Sequence, residues 1–272
     1  MALLPDASGV SEIDAPLFTS LRLVSGAVVL VPLLVLHRRR DGGSSKSILS
    51  AWPAVLALAA YAITFSFSYV TVPTGIGALI LFGTVQVLML GVALVRGERL
   101  GIVQVLGFLS AVAGILVLTL ASESGGEEGV DLGGALLMVA AGIGWGIYTL
   151  LGRECADPVD MTARKFAGAL PFALALGAWA LVGGSSDPTA RGVILSVVCG
   201  AITSGAGYAL WYTALRGHTR TSAAAVQLLV PILAALGGFL VLHEELTLRL
   251  AVATVLVLGG VGAAILVPSR RR

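Results

Sequence analysis

Three aromatic side chains, Tyr208, Trp211 and Tyr212, follow one another at helical spacing inside a long apolar run. Residues at i, i+3 and i+4 share one face of an α-helix, so the three rings would form a single surface. Such rings offer apolar area, polar tips and π faces that attract cations. This surface therefore suits a cavity for an amphipathic or planar molecule. For Trp211 and Tyr212, near the end of the run, an aromatic belt at a membrane interface is an equal alternative, whereas Tyr208 lies deeper.

A few more polar side chains interrupt the apolar runs. A polar group buried in hydrocarbon is costly unless it lines water or pairs with a neighbour, so each of them is a candidate for binding. Trp145 and Tyr148 complete the aromatic set of the second half of the chain. Gln86 and Gln227 could each hydrogen-bond a bound molecule or join two helices. Arg22 could meet an anionic group, or its side chain could extend to the outer lipid headgroups.

The same residues argue against catalysis. An intramembrane enzyme needs a nucleophile and a base at similar depth. Ser204 has no such partner, because no His, Asp or Glu lies within the apolar runs and His218 and His243 fall in loops. The two cysteines, Cys155 and Cys199, form neither a disulfide framework nor a set of metal ligands. The sequence thus predicts a protein that is not an enzyme, with no catalytic residue, cofactor or metal.

Composition places the chain in a membrane. Of its 272 residues, 57% are hydrophobic and 12% are charged, and the mean hydropathy is +0.97, which excludes a soluble globular protein. Its runs are continuously apolar and lack the alternation of a β-barrel. They predict an all-α integral membrane protein with nine transmembrane helices, at residues 17–36, 48–70, 75–95, 100–121, 132–151, 166–183, 192–215, 221–242 and 246–267.

The basic residues predict the orientation. With nine spans, most Lys and Arg residues fall in loops on one side, including Arg164 and Lys165, and the acidic N-terminus falls on the other. Lys and Arg are retained on the cytoplasmic side. We therefore expect a multi-pass protein of the cytoplasmic membrane, with an extracytoplasmic segment at 1–16 and a basic cytoplasmic tail at 268–272. These topogenic charges give no support to nucleic-acid binding.

Two internal matches indicate an inverted repeat. GERL at 97–100 matches HEEL at 243–246, and the spacing of Pro16 and Arg22 recurs in Pro158 and Arg164. In both matches the two copies fall on opposite predicted sides, which is the usual construction of secondary transporters. The predicted domains are a first repeat of four helices at 17–121 and a second of five at 132–267. The first helix of the first repeat is missing, either because the start site is placed too late or because nine helices suffice.

Prolines and glycines in the spans predict local geometry. Pro231 falls in the middle of the run 221–242, where it frees a carbonyl and kinks the helix, so it is a hinge candidate, although many kinks are static. Gly142 with Gly146, and Gly237 with Gly238, allow close helix packing.

The chain resembles the EamA-like branch of the drug/metabolite transporter superfamily over nearly its whole length. The resemblance rests on GTVQVLMLGVALVRGERL at 83–100, AGIGWGIYTLLGRE at 141–154 and, most specifically, SGAGYALWYTAL at 204–215 and AAAVQLLVPILAALGGFLVLHEEL at 223–246. It implies ten helices in two inverted five-helix repeats, cytoplasmic termini, a central substrate cavity and export of small metabolites or drugs. The chain departs from this pattern by lacking the first helix.

The expected function is therefore secondary transport, in which a small organic metabolite or drug leaves the cell by alternating access. The alternatives are a channel-like or non-transporting membrane protein and, least favoured, an intramembrane enzyme. The expected partners are a small-molecule substrate and the lipid bilayer. The sequence is compatible with a homodimer and fixes no oligomeric state.

Overall fold

The computed structural model describes residues 12–41, 51–95, 101–120, 131–152, 158–183, 187–215, 229–242 and 247–266. All regular secondary structure in these ranges is helical, which confirms the predicted all-α class. The helices are α1 (Ala15–Asp41), α2 (Trp52–Ser68), α3 (Thr74–Val95), α4 (Ile102–Leu120), α5 (Leu132–Gly152), α6 (Pro158–Val182), α7 (Ala190–Val198), α8 (Gly207–Leu215), α9 (Leu229–Leu242) and α10 (Leu248–Leu266). A π-helix, Cys199–Ala206, joins α7 to α8.

The helices coincide with the apolar runs of the sequence. By length and composition, four stretches of the described chain are able to cross a membrane: Ala15–Pro32, Leu132–Gly152, Asp160–Val182 and Ala190–Trp211. The last of these passes through α7, the π-helix and into α8, so these three elements make up one span. The remaining apolar helices are shorter within the described ranges: Trp52–Ser68, Thr74–Met89, Ile102–Val117, Val230–Leu242 and Leu248–Ala263.

The start of α6 corrects one prediction. The helix begins at Pro158, whereas the apolar run predicted a start at residue 166, so Arg164 and Lys165 are helical and buried and do not lie in a loop. Asp160, in the first turn, forms an ion pair with Arg164, so the helix carries a carboxylate ahead of its apolar run. A helix boundary predicted from an apolar run falls at the first charged residue. The actual helix can continue past that residue when the charges pair and pack inside the protein.

The described helices group into two compact units. The first unit holds residues 1–70 and 147–217, and the second holds 71–146 and 218–272. Each unit thus combines helices from both predicted repeats. Within the first unit α1 packs most extensively on α6, and within the second α4 packs on α10. These partners occupy equivalent places in the predicted repeats, as an inverted duplication would produce, and the repeat boundaries stay a prediction.

Glycines permit close helix contacts in the second unit. A Cβ at Gly142 would lie 2.8 Å from the carbonyl oxygen of Leu81, and a Cβ at Gly260 would lie 2.5 Å from that of Gly107. At Gly146 a Cβ would lie 2.5 Å from the side chain of Leu88, so the predicted packing role of Gly142 and Gly146 is confirmed. Gly237 differs, because no described atom lies within 4 Å of its Cβ position.

Candidate functional site

A buried cluster of polar side chains surrounds Arg22 in the first unit. Arg22 lies on α1 and is only 5% exposed. Its Nε donates a hydrogen bond of 2.8 Å to the hydroxyl of Ser204, on the π-helix. Its Nη2 donates to the hydroxyl of Tyr61, on α2, at 3.1 Å and to that of Tyr208, on α8, at 3.0 Å. Three separate elements thus converge on one guanidinium.

Aromatic rings enclose the same guanidinium. Its Cζ lies 5.4 Å from the ring centroid of Tyr61 and 4.9 Å from that of Phe65. Each such contact stabilises a desolvated cation by about 0.5–2 kcal/mol. The hydroxyls of Tyr208 and Tyr61 are themselves 3.3 Å apart, so the two tyrosines form one connected network with Arg22. Neutral groups therefore provide the contacts that stabilise this buried positive charge.

One edge of the guanidinium has no partner. Nη1 of Arg22 is buried and makes no hydrogen bond to any described residue. The ion pairs found in the described ranges join Arg164 to Asp160 and Arg191 to Glu12, and neither involves Arg22. The buried position also argues against the alternative in which the side chain extends to lipid headgroups, because that alternative requires an exposed guanidinium.

The π-helix brings Ser204 to Arg22. A π-helix is rare, occurs mostly as a short insertion within an α-helix and is frequent at functional sites. On its inner side, any side chain at Gly200 would collide with the backbone of Arg22 and the hydroxyl of Ser25. A Cβ at Gly205 would lie 3.4 Å from Gly26 of α1. Because these glycines let the π-helix lie against α1, the short side chain of Ser204 reaches the guanidinium.

A second group of rings extends the cluster from Tyr208. The ring of Tyr208 lies 6.3 Å from that of Tyr148 and 6.0 Å from that of Phe166. Lys165, which is 1% exposed, places its Nζ 4.0 Å from the centroid of Tyr148. Phe166 also packs on α1, because a Cβ at Gly26 would lie 2.5 Å from its ring. The first unit therefore buries two cations, Arg22 and Lys165, on a continuous set of aromatic rings.

The structure brings together three of the predicted site residues, Arg22, Tyr208 and Tyr148. Trp211 lies on α8 in the same unit, and its indole Nε1 is buried without a hydrogen-bond partner in the described ranges. Tyr212 also lies on α8, and its side chain is outside the described residues. The predicted shared face of Tyr208, Trp211 and Tyr212 is thus described only for its first two members.

The other candidates lie elsewhere. Gln86, on α3, and Trp145, on α5, are buried in the second unit. Gln227 falls outside the described residues. Pro231 lies in the first turn of α9 as the structure describes it, and the residues from 216 to 228 are outside the described ranges. A kink at Pro231 and its role as a hinge therefore stay predictions.

Several members of the cluster escaped the sequence analysis. Tyr61 and Phe65 stand four residues apart on α2, which is the same helical spacing that singled out Tyr208, so a signal was present. Ser204 was considered only as a nucleophile, and Lys165 only as a loop residue. Within the described part of the chain, no group of three His, Cys, Asp or Glu residues is placed to hold a metal ion.

Comparison with known proteins identifies the class. Residues 132–266 match the EamA-like transporter family. An uncharacterised protein from Pseudomonas aeruginosa is 47% identical over 258 residues, covering 95% of this chain and 86% of that protein. A probable amino-acid metabolite efflux pump from Escherichia coli is 27% identical, covering 79% of this chain and 75% of the pump. A solved crystal structure shares the fold with a TM-score of 0.63 and 21% identity, over 92% of this chain and 88% of that one.

The fold and these relatives define a multi-pass membrane transporter. More narrowly, the chain belongs to the EamA-like transporter family, as the resemblance in its sequence predicts. The family and the names of its relatives point to transport rather than catalysis.

Proposed function

We propose that the protein is a secondary carrier that exports a small organic metabolite or drug across the cytoplasmic membrane by alternating access. The observation that carries this proposal is the cluster around Arg22. A charged side chain inside a membrane-spanning helix is costly, and in transporters such residues mark the path of a substrate or ion. Here the charge is buried and bonded to three other elements, as a binding site inside a carrier requires.

The side chains proposed to contact the solute are the polar and aromatic candidates of the spans. Arg22 and Tyr208 hold the central place, Tyr148 packs on Tyr208, and Trp211 belongs to the same unit. Trp145, Gln86, Gln227 and Tyr212 are further proposed solute contacts, each by itself, and Pro231 is the proposed hinge. Rings with hydroxyl or indole tips bind the apolar body of a solute and its polar groups at once.

The relative from Escherichia coli supports the direction and the kind of solute. It is named as a probable amino-acid metabolite efflux pump. We therefore place amino acids and their derivatives first in the set of solutes to test. The name of this relative, and not the predicted position of the C-terminus, supports the outward direction of transport.

Counterflow into proteoliposomes tests the proposal. The full chain is reconstituted in liposomes preloaded with one unlabelled amino acid, amino-acid derivative or drug, and uptake of the same labelled compound is followed against protein-free liposomes. We expect at least one compound to show saturable, protein-dependent counterflow. If none does while the reconstituted Escherichia coli pump is active in parallel, the proposal is wrong.

The same experiment separates a carrier from a channel. A carrier exchanges labelled for unlabelled solute faster than it releases solute in one direction, and its rate saturates with concentration. A channel gives no acceleration by exchange and no saturation. Flux that rises in proportion to concentration would therefore favour the channel-like alternative.

A further inference from the structure

We propose that Arg22 binds a carboxylate of the transported solute through its Nη1 edge, so that the protein takes small organic anions or zwitterions. This inference rests on the proposed export function and assigns the chemical class of the solute at the same site. It is carried by the hydrogen-bond arrangement of one buried guanidinium.

Only some of the hydrogen-bond donors of Arg22 have partners among the described residues. A guanidinium carries five N–H donors, one on Nε and two on each terminal nitrogen. The Nε donor is taken by Ser204, and the two Nη2 donors are taken by Tyr61 and Tyr208. Both Nη1 donors are left, on a nitrogen that is buried from solvent. The open donors of Arg22 thus all lie on one edge.

The positive charge of Arg22 favours an anion as the partner of its Nη1 nitrogen. The hydroxyls and rings that contact the guanidinium of Arg22 carry no negative charge. In surroundings of low dielectric constant, a hydrogen bond to a charged acceptor is roughly twice as strong as a neutral one. A carboxylate would therefore satisfy the donors and neutralise the buried cation together.

The charge favours a carboxylate over a phosphate. A carboxylate carries one negative charge and balances the single buried cation, whereas phosphate near neutral pH carries more than one and would bury an excess charge, which is costly. The rings of Tyr61 and Phe65 lie against the same guanidinium and provide apolar area for the body of the solute. The three hydroxyl contacts fix the orientation of Arg22 before the solute arrives, which lowers the entropic cost of binding.

Thermal unfolding of the purified full chain in detergent measures the binding without any transport. The probes are sodium acetate, sodium benzoate and L-phenylalanine, and the matched compounds without a carboxylate are acetamide, benzamide and L-phenylalaninamide. Sodium chloride and potassium phosphate at the same ionic strength serve as controls for other anions. We expect benzoate or L-phenylalanine to raise the melting temperature saturably, and their amides, chloride and phosphate to leave it unchanged.

Variants connect this effect to Arg22. Arg22→Gln removes the charge and is expected to weaken carboxylate binding by about tenfold or more, the loss of a charge-assisted hydrogen bond. Arg22→Lys keeps the charge without the planar fork, and we expect a smaller loss. The matched control is Arg191→Gln, since Arg191 belongs to the same unit and is 74% exposed in its pair with Glu12. This control should bind carboxylates as the wild type does.

Three results would overturn the inference. They are a melting temperature that no carboxylate probe raises, equal stabilisation by the amides or by phosphate, and unchanged affinity in Arg22→Gln. If Arg22→Gln does not fold, Arg22→Lys decides, because affinity equal to that of the wild type would exclude recognition by the guanidinium edge.

The outcome is separable from that of the export proposal. Carboxylate binding that depends on Arg22, without transport of any solute, would support the site and contradict export. Saturable counterflow of a neutral solute that is insensitive to Arg22→Lys would support export and contradict the anion site.

Discussion

The two compact units bury different kinds of polar side chain. Among the described residues the buried charged side chains, Arg22, Asp160, Arg164 and Lys165, all belong to the first unit. The buried polar side chains described in the second unit are Thr84 and Gln86, and both are neutral. Glycine contacts between helices occur in both units. Among the described residues, close helix packing thus occurs in both units, whereas buried charge is concentrated in the unit where we place solute recognition.

The largest expected difference between the units concerns the loss of a buried charge. Asp160→Asn removes the carboxylate that pairs with Arg164 inside the first unit. Removing one partner of a buried ion pair is strongly destabilising, so the free energy of unfolding should fall by about 3–5 kcal/mol. In the second unit, Gln86→Leu replaces a buried amide with an apolar side chain of similar size and should cost less than about 1 kcal/mol.

Denaturant unfolding of both variants in the same detergent measures the contrast. Equal losses in Asp160→Asn and Gln86→Leu would show that the two units do not differ in their dependence on buried polar groups. Arg191→Gln provides a third comparison. Arg191 is 74% exposed in its pair with Glu12, so this variant should change the free energy of unfolding by less than about 1 kcal/mol.

Glycine contacts should matter equally in both units. Gly200→Ala would push the π-helix away from Arg22 in the first unit, and Gly142→Ala would push α5 away from Leu81 and Thr84 in the second. Each should lower the free energy of unfolding by about 1–3 kcal/mol, the usual cost of overpacking. Gly237→Ala is the control, since it meets open space and should stabilise α9 by about 0.5–1 kcal/mol through helix propensity. Destabilisation by Gly200→Ala alone would confine close packing to the first unit.

The smallest expected effect separates the hydroxyl of Tyr208 from its ring. Tyr208→Phe removes the hydrogen bonds to Arg22 and Tyr61 and keeps the ring contacts with Tyr148 and Phe166. We expect the free energy of unfolding to fall by about 1 kcal/mol. Benzoate affinity should fall a few-fold, because Arg22 is then less well oriented. A loss of affinity as large as that of Arg22→Gln would mean that the hydroxyl of Tyr208 contributes as much to solute binding as the charge of Arg22.

The sequence predicted the helices well because hydropathy alone decides which segments leave water. It failed at the start of α6, where Asp160, Arg164 and Lys165 read as a loop and in fact lie buried. The π-helix was also missed, since its geometry depends on the contact of Gly200 and Gly205 with α1 and not on local propensity.

The sequence predicted residues of the candidate site one by one, but it did not predict that they form one cluster. Arg22, Tyr208 and Tyr148 stood out because polar groups are costly in an apolar run. Their meeting in one cluster depends on tertiary packing between distant segments, which no spacing along the chain reveals. Tyr61 was missed because its helical spacing with Phe65 is equally compatible with ordinary packing in an apolar run.

The π-helix has a mechanical consequence for the span that contains it. A π-helix is wound more loosely than an α-helix, so a return of Cys199–Ala206 to α geometry would turn α8 about its axis and lengthen the span. Ser204 and Tyr208 lie on opposite sides of the boundary with α8 and would be carried round by the same rotation. Two of the hydrogen bonds that hold Arg22 would then be lost in one movement.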